Sequence, residues 1–311
     1  MNRLRPLLLV AVVLALVVAA CGGDDDNTTS ASSGGGNKPE VKIGAQNFGE
    51  SAILSQIYGQ ALDAKGYKVK QVSLGGARKV VYPSFQAGDI NLTPEYAASA
   101  LEFLNNNAGQ ATSDADETVS LLRTQLKKKN LTALNPSPAV DTNAFVVTKE
   151  YADQHGLSTI SDLKKVEADA KFGGPPDCPT NAYCVGGLKS RYGIDLTKNF
   201  KAFDFGGPQT KNALKSGAIQ IALLFSTDGA IADQNWVVLK DDKGMFAADN
   251  VVPVLTNSLA KDGGSQLTDL LNQVSAAITT SELTDMNKKS DIDKQDPDKI
   301  AADFLKSKNL S

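Results

Sequence analysis

Two stretches decide the fold, YKVKQVSLGGARKVVYPSFQAGDINLTPEY at 67–96 and NFKAFDFGGPQTKNALKSGAIQIALLF at 199–225. Each contains a strand that ends in Gly-Gly, a helix that stops at a glycine, and a second strand that starts at once. Gly88 and Gly217 suit the left-handed conformation that terminates a helix. Strands that alternate with helices are typical of parallel α/β sheets. The two stretches therefore predict two similar α/β lobes rather than one long sheet.

The same order extends upstream of both stretches. VKIGAQNF (41–48) and AKFGGPPD (170–177) are each a short strand ending in a loop, and ESAILSQIYGQALDAKG (50–66) and GGLKSRYG (186–193) are the helices that follow. The sequence thus contains a weak repeat in which the order of elements is preserved.

One aromatic residue occupies the same place in each repeat. Tyr96 lies eight residues past Gly88, and Phe225 lies eight past Gly217. Because open α/β sheets bind ligands at the carboxyl ends of their strands, we expect both rings at one cleft. The alternative is that both are core or lobe-interface aromatics, which is the commoner position for a single aromatic residue.

The repeats predict a two-lobe fold whose hinge is crossed twice, near 142–145 and 249–252. Ala144–Thr148 is a strand-like run that opens the second lobe, and VVPVL (251–255) returns the chain to the first. The expected boundaries are lobe 1 over 40–143, lobe 2 over 144–250, and the lobe 1 return with its C-terminal helices over 251–311.

The N-terminus predicts secretion and a lipid anchor. Arg3 and Arg5 precede an apolar run from Leu7 to Ala20, which is short for a membrane span and has the layout of a signal peptide over 1–20. Val-Ala-Ala before Cys21 looks like a lipobox, in which the cysteine becomes a lipidated N-terminus. The alternative is an anchor helix that is never cut. Residues 21–39 then form a polar, flexible tether that holds the body outside the cell, close to the membrane.

The remaining cysteines predict a disulfide. Once Cys21 carries lipid, Cys178 and Cys184 are left as an even pair in an oxidising compartment. A metal site would need further ligands nearby, and His155 alone does not supply them.

Composition narrows the function classes. The chain has 311 residues, 41% of them hydrophobic, and a formal net charge of −3. This charge gives no reason to expect nucleic acid as a partner. The sequence contains no nucleophile elbow, zinc-protease or phosphate-loop motif, so a secreted hydrolase is the weaker alternative and no cofactor is expected.

With these residues in view, 40–308 resembles the extracytoplasmic solute-binding proteins of glycine betaine/carnitine/choline/proline ABC importers. The motifs that carry the resemblance are IGAQNFGES (43–51), GDINLTPEYAAS (88–99), TISDL (159–163), FSTDGAI (225–231) and VVLKDDKG (237–244). The resemblance implies a periplasmic-binding-protein-like flytrap that captures an osmolyte and delivers it to a membrane permease. A ligand sensor that uses the same flytrap is a second alternative.

The resemblance also implies site residues, with substitutions. Well-known members bind the quaternary ammonium group of the ligand in a cage of tyrosines and its carboxylate on an arginine. The tyrosine rings attract the ammonium group by cation–π interaction. The positions that match retained or related residues are Gln46, Asn47, Tyr96, Ser99, Asp141 and Thr227. The positions at which another residue replaces a cage tyrosine or the arginine are Asn143, Asn181, Phe225, Asp249 and Asn250.

These departures predict a ligand held by hydrogen bonds. With Tyr96 and Phe225 as the remaining cage aromatics, we expect a polar or zwitterionic solute and weak or absent betaine binding. Arg78 is the candidate replacement cation, the alternative being a surface residue at a helix start. The protein is expected to be a lipid-anchored extracytoplasmic monomer whose partners are a small solute and an ABC permease and ATPase.

Overall fold

The computed structural model describes residues 38–75, 78–106, 108–176, 178–204 and 206–311. The predicted signal peptide, the predicted lipidation site Cys21 and all but the last two residues of the predicted tether lie outside these ranges. Among the helices that the structure describes, none combines the length and apolar character that a bilayer crossing requires.

The secondary structure alternates between strands and helices along the chain. The strands are β1 Val41–Ala45, β2 Val69–Ser73, β3 Leu92–Tyr96, β4 Leu131–Ala133, β5 Asn143–Val147, β6 Phe172–Gly174, β7 Phe200–Ala202, β8 Ile221–Phe225, β9 Val237–Val238 and β10 Val251–Thr256. The helices are α1 Gly49–Ala64, α2 Arg78–Ala87, α3 Ala97–Leu104, α4 Ala115–Lys127, α5 Lys149–His155, α6 Val185–Gly187, α7 Pro208–Lys215, α8 Gly229–Asp233, α9 Asn257–Ala277, α10 Thr280–Asp291 and α11 Pro297–Ser307. Shorter turns are the 3-10 segments Ile160–Lys165 and Thr197–Asn199 and the π-helical Leu188–Tyr192.

The strands form two five-stranded sheets with equivalent orders, β2-β1-β3-β10-β4 and β7-β6-β8-β5-β9. In each sheet the three strands of the sequence repeat are parallel. The expectation of parallel sheets is wrong for the strands that cross between lobes, because β10 runs antiparallel to β3 and β5 antiparallel to β8. Both sheets are therefore mixed, and the two-lobe α/β fold is confirmed. We call the first sheet with its helices the first lobe and the second sheet with its helices the second lobe.

Helices cover both faces of the first sheet. Successive side chains of β10 therefore pack against helices on opposite faces. Val251 and Leu255 pack with α1, α9 and α11, whereas Val252 and Val254 pack with α2, α3 and α4. A strand buried on both faces reads as the continuous apolar run VVPVL.

The predicted helix ends are confirmed where glycine was expected to stop them. Gly88 has φ +75° and Gly217 has φ +73°. The helix expected over 186–193 is instead short and irregular, split between α6 and a π-helical turn. At Gly187 an added Cβ would lie 2.0 Å from the Ala182 carbonyl oxygen, so this glycine permits the close approach of the preceding loop.

The chain passes between the sheets after β4 and again before β10, as the sequence predicts. Helix α10 adds a further connection, because it packs against α8 of the second lobe as well as α1 of the first. At Gly229 an added Cβ would lie 2.6 Å from the Lys288 backbone nitrogen, so this glycine permits the close approach of α8 and α10.

Candidate functional site

Two adjoining cavities lie where the lobes meet. The first, the Tyr96 compartment, has a volume of about 460 Å³ and is lined by Phe48, Gly49, Glu50, Arg78, Tyr96, Ser99, Asp141, Phe225, Thr227, Asp228, Asp249, Asn287 and Asp291. The second, the Tyr183 compartment, has about 440 Å³ and is lined by Arg78, Ala98, Ser99, Glu102, Phe103, Ala111, Asp141, Thr142, Asn143, Tyr183, Phe225, Phe246, Ala247 and Asp249. The shared residues join the two compartments into one cleft.

Tyr96 and Phe225 occupy equivalent places in the two lobes. Tyr96 ends β3 and pairs with Val251, and Phe225 ends β8 and pairs with Asn143. Both side chains line the Tyr96 compartment. The structure thus brings the two rings to one cavity, and their contact with a ligand stays a prediction.

Five carboxyl side chains line the Tyr96 compartment, those of Glu50, Asp141, Asp228, Asp249 and Asp291. Three of them accept hydrogen bonds from other lining residues. The Tyr96 hydroxyl donates to Glu50 Oε1 at 2.6 Å, and the Thr227 hydroxyl donates to Asp141 Oδ1 at 2.7 Å. Asp249 accepts from the Ser99 backbone N–H at 2.9 Å and from the Ser99 hydroxyl at 2.5 Å.

Burial makes these carboxyls hard to ionise. It raises the pKa of Glu50 and of Asp249 and holds the pKa of Asp141 well above its usual range, with repulsion from Glu50 adding to the shift of Asp141. A positively charged group in the cavity would reverse this effect because it favours the ionised form.

Arg78 forms a paired charge rather than an open one. Its Nε lies 3.0 Å and its terminal NH2 nitrogen 3.0 Å from Glu95 Oε2, and the Glu95 side chain is fully buried. Burial opposes the charge on Arg78, but Glu95 and Asp249 outweigh it and the pKa of Arg78 is raised. Arg78 lines both compartments, but Glu95 already neutralises its charge.

The other predicted residues divide into three groups. Ser99, Thr227, Asp141 and Asp249 line the cleft with Asn143, whose amide donates to the Tyr183 carbonyl oxygen at 3.3 Å.

Gln46 and Asn47 line a neighbouring cavity, which shares Phe48 and Gly49 with the Tyr96 compartment. Asn181 accepts from the Tyr183 backbone N–H, and buried Asn250 donates to the Ser137 carbonyl oxygen. Neither Asn181 nor Asn250 is among the described residues that line the two compartments.

The cleft contains more aromatic residues than the two cage positions Tyr96 and Phe225. Phe48 lines the Tyr96 compartment, with its ring centroid 6.0 Å from that of Tyr96. The Tyr183 compartment contains three more rings, those of Phe103, Tyr183 and Phe246. Phe48 lies within the IGAQNFGES motif, so its place beside Gln46 and Asn47 was a signal that the sequence offered.

A hydrogen-bond chain connects the lobes through α10. The Asn287 amide donates to Glu50 Oε2 at 2.5 Å and to the Thr227 carbonyl oxygen at 2.9 Å. Glu50 belongs to α1 of the first lobe, and Thr227 follows β8 of the second. The chain Tyr96–Glu50–Asn287–Thr227–Asp141 therefore spans the cleft floor.

Cys178 and Cys184 are joined by a disulfide, with their Cα atoms 5.2 Å apart. In the part of the chain that the structure describes, His, Cys, Asp and Glu side chains form no cluster suited to a metal ion.

Comparisons with known proteins agree with this architecture. Residues 39–307 match the family model described as the substrate-binding domain of an ABC-type glycine betaine transport system. The chain is 27% identical to the glycine-betaine-binding protein of Pseudomonas aeruginosa, over 87% of this chain and 88% of that one. It is 26% identical to a carnitine transport binding protein of Listeria monocytogenes, over 88% of each chain. A crystal structure of a glycine betaine/carnitine/choline ABC transporter protein superposes with a TM-score of 0.80 at 28% identity, covering 87% of this chain and 99% of that one.

Proposed function

The chain belongs to the family of substrate-binding domains of ABC-type glycine betaine transport systems, and on that premise we propose that its cleft captures a small cationic solute. It is a substrate-binding protein of an ABC importer. The observation that carries the proposal is the combination of carboxyl groups and aromatic rings in the Tyr96 compartment.

Charge favours a cation over a zwitterion. Glu50, Asp141 and Asp249 face this compartment, and Arg78 is the one basic residue among its described lining. Since Glu95 pairs with Arg78, little positive charge is left to attract a ligand carboxylate. A ligand of net positive charge, such as choline, therefore suits the compartment better than glycine betaine does.

The rings favour a cation that cannot donate hydrogen bonds. Phe48, Tyr96 and Phe225 line the compartment. An aromatic face within about 6 Å attracts a quaternary ammonium, by up to about 2 kcal/mol when water is excluded. This proposal replaces the polar or zwitterionic solute, held by hydrogen bonds, that we expect from the sequence.

The family membership and the N-terminal sequence also support a cellular location and a partner for the protein. We place it outside the cytoplasm as a monomer held by a lipid on Cys21, and its partner is the permease and ATPase complex of an importer. The chain crosses between the lobes near 143 and near 250, and these two crossings form the hinge. Contacts from both lobes form fully only when the cleft closes, so ligand binding favours closure.

Isothermal titration tests the ligand class. Choline should bind more tightly than carnitine, glycine betaine or proline, because each of those carries a carboxylate. Asp141→Asn should weaken choline binding about 10-fold or more, equivalent to about 1.4 kcal/mol. Phe48→Leu should also weaken choline binding, because it removes the aromatic ring while keeping an apolar side chain.

Asp162→Asn is the matched control, because this second-lobe carboxyl lies outside both compartments and its loss should leave choline affinity unchanged. Tighter binding of betaine than of choline, unaffected by Asp141→Asn, would refute the proposal.

A further inference from the structure

We propose that the Tyr183 compartment is a second subsite, which binds a planar ring carried by the same ligand whose cationic head occupies the Tyr96 compartment. This inference rests on the proposed function and specifies its ligand further. It predicts a ligand with two chemically distinct ends.

The distribution of exposed rings is the first support. Among the described residues, the large hydrophobic side chains that are exposed are Phe48, Phe103, Tyr183, Phe225, Val238 and Ile292. The four aromatic members all line the cleft. Exposed apolar surface that concentrates in one place marks a binding site rather than ordinary surface composition.

The composition of the compartment is the second support. Phe103, Tyr183 and Phe225 line it and are each about two-fifths exposed overall, at 41%, 44% and 38%. The buried Phe246 also lines the cavity. Aromatic rings pair favourably with other rings in stacked or edge-to-face arrangements at centroid distances of about 4.5–7 Å. A planar ring can use several of these partners at once.

Two of the rings of this compartment already pack against other aromatic rings. Phe103 stacks on Tyr82 with centroids 5.6 Å apart and planes at 16°. Phe246 meets Phe145 edge to face at 5.4 Å. Tyr183 lies inside the Cys178–Cys184 loop. Because the wall is pre-organised, a ring that binds there loses less free energy to ordering side chains.

Continuity with the cation site is the third support. Phe225 and Asp141 line both compartments, so one ligand can reach both without crossing bulk solvent. A head group alone leaves the exposed rings in water, whereas a ring on the same ligand removes that apolar surface from water.

A series of quaternary ammonium probes tests the inference by isothermal titration. Tetramethylammonium supplies the head alone, hexyltrimethylammonium adds a flexible apolar chain, and benzyltrimethylammonium and (3-phenylpropyl)trimethylammonium add a ring on a short or longer linker. At least one phenyl probe should bind about 10-fold or more tightly than both tetramethylammonium and the hexyl probe.

Substitutions then locate the gain. Tyr183→Leu should remove most of the advantage of the phenyl probe and leave tetramethylammonium affinity unchanged. Phe103→Leu, on a different element, should act the same way and serves if the first variant fails to fold. Val238→Ala removes an exposed side chain outside both compartments and should change nothing.

The outcomes separate this inference from the proposed function. If no probe binds, the cationic ligand class itself is wrong. If tetramethylammonium binds and the phenyl probes gain nothing, or gain no more than the hexyl probe, the ring subsite is overturned. A phenyl advantage that survives both Tyr183→Leu and Phe103→Leu would overturn it as well.

Discussion

The two lobes share a strand order, but the carboxyl groups at the cleft differ from those at the surface of the second lobe in the direction of their pKa shifts. On the first-lobe side of the cleft, burial raises the pKa of Glu50 and of Asp249. In the second lobe, hydrogen bonds from Lys165 and from Lys189 lower the pKa of Asp162 and of Asp195, both near the surface. Burial at the cleft and hydrogen bonds from lysines at the surface therefore shift carboxyl pKa values in opposite directions.

This difference indicates what each lobe contributes. A buried carboxyl without a cation beside it costs stability, so a cluster of such groups is consistent with a site that a charged ligand completes. The second lobe supplies Phe225, Tyr183 and Phe246 to the cleft instead. The first lobe thus provides most of the charge, and the second provides much of the aromatic surface.

The largest expected effect comes from a substitution that breaks the Arg78–Glu95 pair of the first lobe. Arg78→Met leaves Glu95 buried without its partner and should lower the free energy of unfolding by about 3–5 kcal/mol. The matched change in the second lobe, Lys189→Met, removes an exposed pair with Asp195 and should leave the free energy of unfolding nearly unchanged, because water screens such a pair. Urea unfolding measures both.

A second change checks the cause. Replacing both partners, as Arg78→Met with Glu95→Leu, should recover much of the lost stability because no uncompensated charge is then buried. Equal costs for Arg78→Met and Lys189→Met would show that the two lobes do not differ in this way.

The next effect concerns the second lobe alone. Removing the disulfide by Cys178→Ala with Cys184→Ala should lower the free energy of unfolding by about 2 kcal/mol, the loss of a short closed loop. Choline affinity should stay unchanged because neither cysteine lines the Tyr96 compartment. Thermal unfolding and titration of the same sample give both values, and a large loss of choline binding would contradict the separation of roles.

The smallest expected effect is on the pH dependence of stability, which should change in opposite directions in Asp249→Asn and Asp162→Asn. The raised pKa of Asp249 means that the folded state binds its proton more tightly, so this group's contribution to stability falls as pH rises through that pKa. Asp249→Asn should therefore gain stability relative to wild type at pH 8 and not at pH 4.

Asp162 has a lowered pKa, so its contribution is present at neutral pH and disappears on acidification. Asp162→Asn should lose about 1 kcal/mol at pH 8 through its contacts with the Ser158 and Thr159 backbone, and less at acid pH. Parallel pH profiles for the two variants would remove the contrast.

The sequence predicts the scaffold well because the scaffold follows local rules. Helix-stopping glycines, period-two strands and the repeated order lead to two sheets of equivalent strand order, with Tyr96 and Phe225 at matching strand ends. The antiparallel crossing strands were missed because a strand's direction depends on which neighbour it joins, and the apolar run VVPVL does not encode that.

The site is only partly predictable because its chemistry depends on distant pairings. Glu95 lies 17 residues from Arg78, and only the sheet's assembly brings them together. Tyr183 and Phe246 reach the cleft from irregular loops without any periodic pattern. Phe48 was within reach, since it is an aromatic residue at a strand-to-helix junction in a motif already recognised.

A crystal structure of the protein grown with choline would show which groups hold the cation. We expect the trimethylammonium group in the Tyr96 compartment, within about 6 Å of the ring centroids of Phe48, Tyr96 or Phe225 and beside Asp141 or Asp249. Choline found outside this compartment, or absent from crystals grown at saturating concentration, would contradict this expectation.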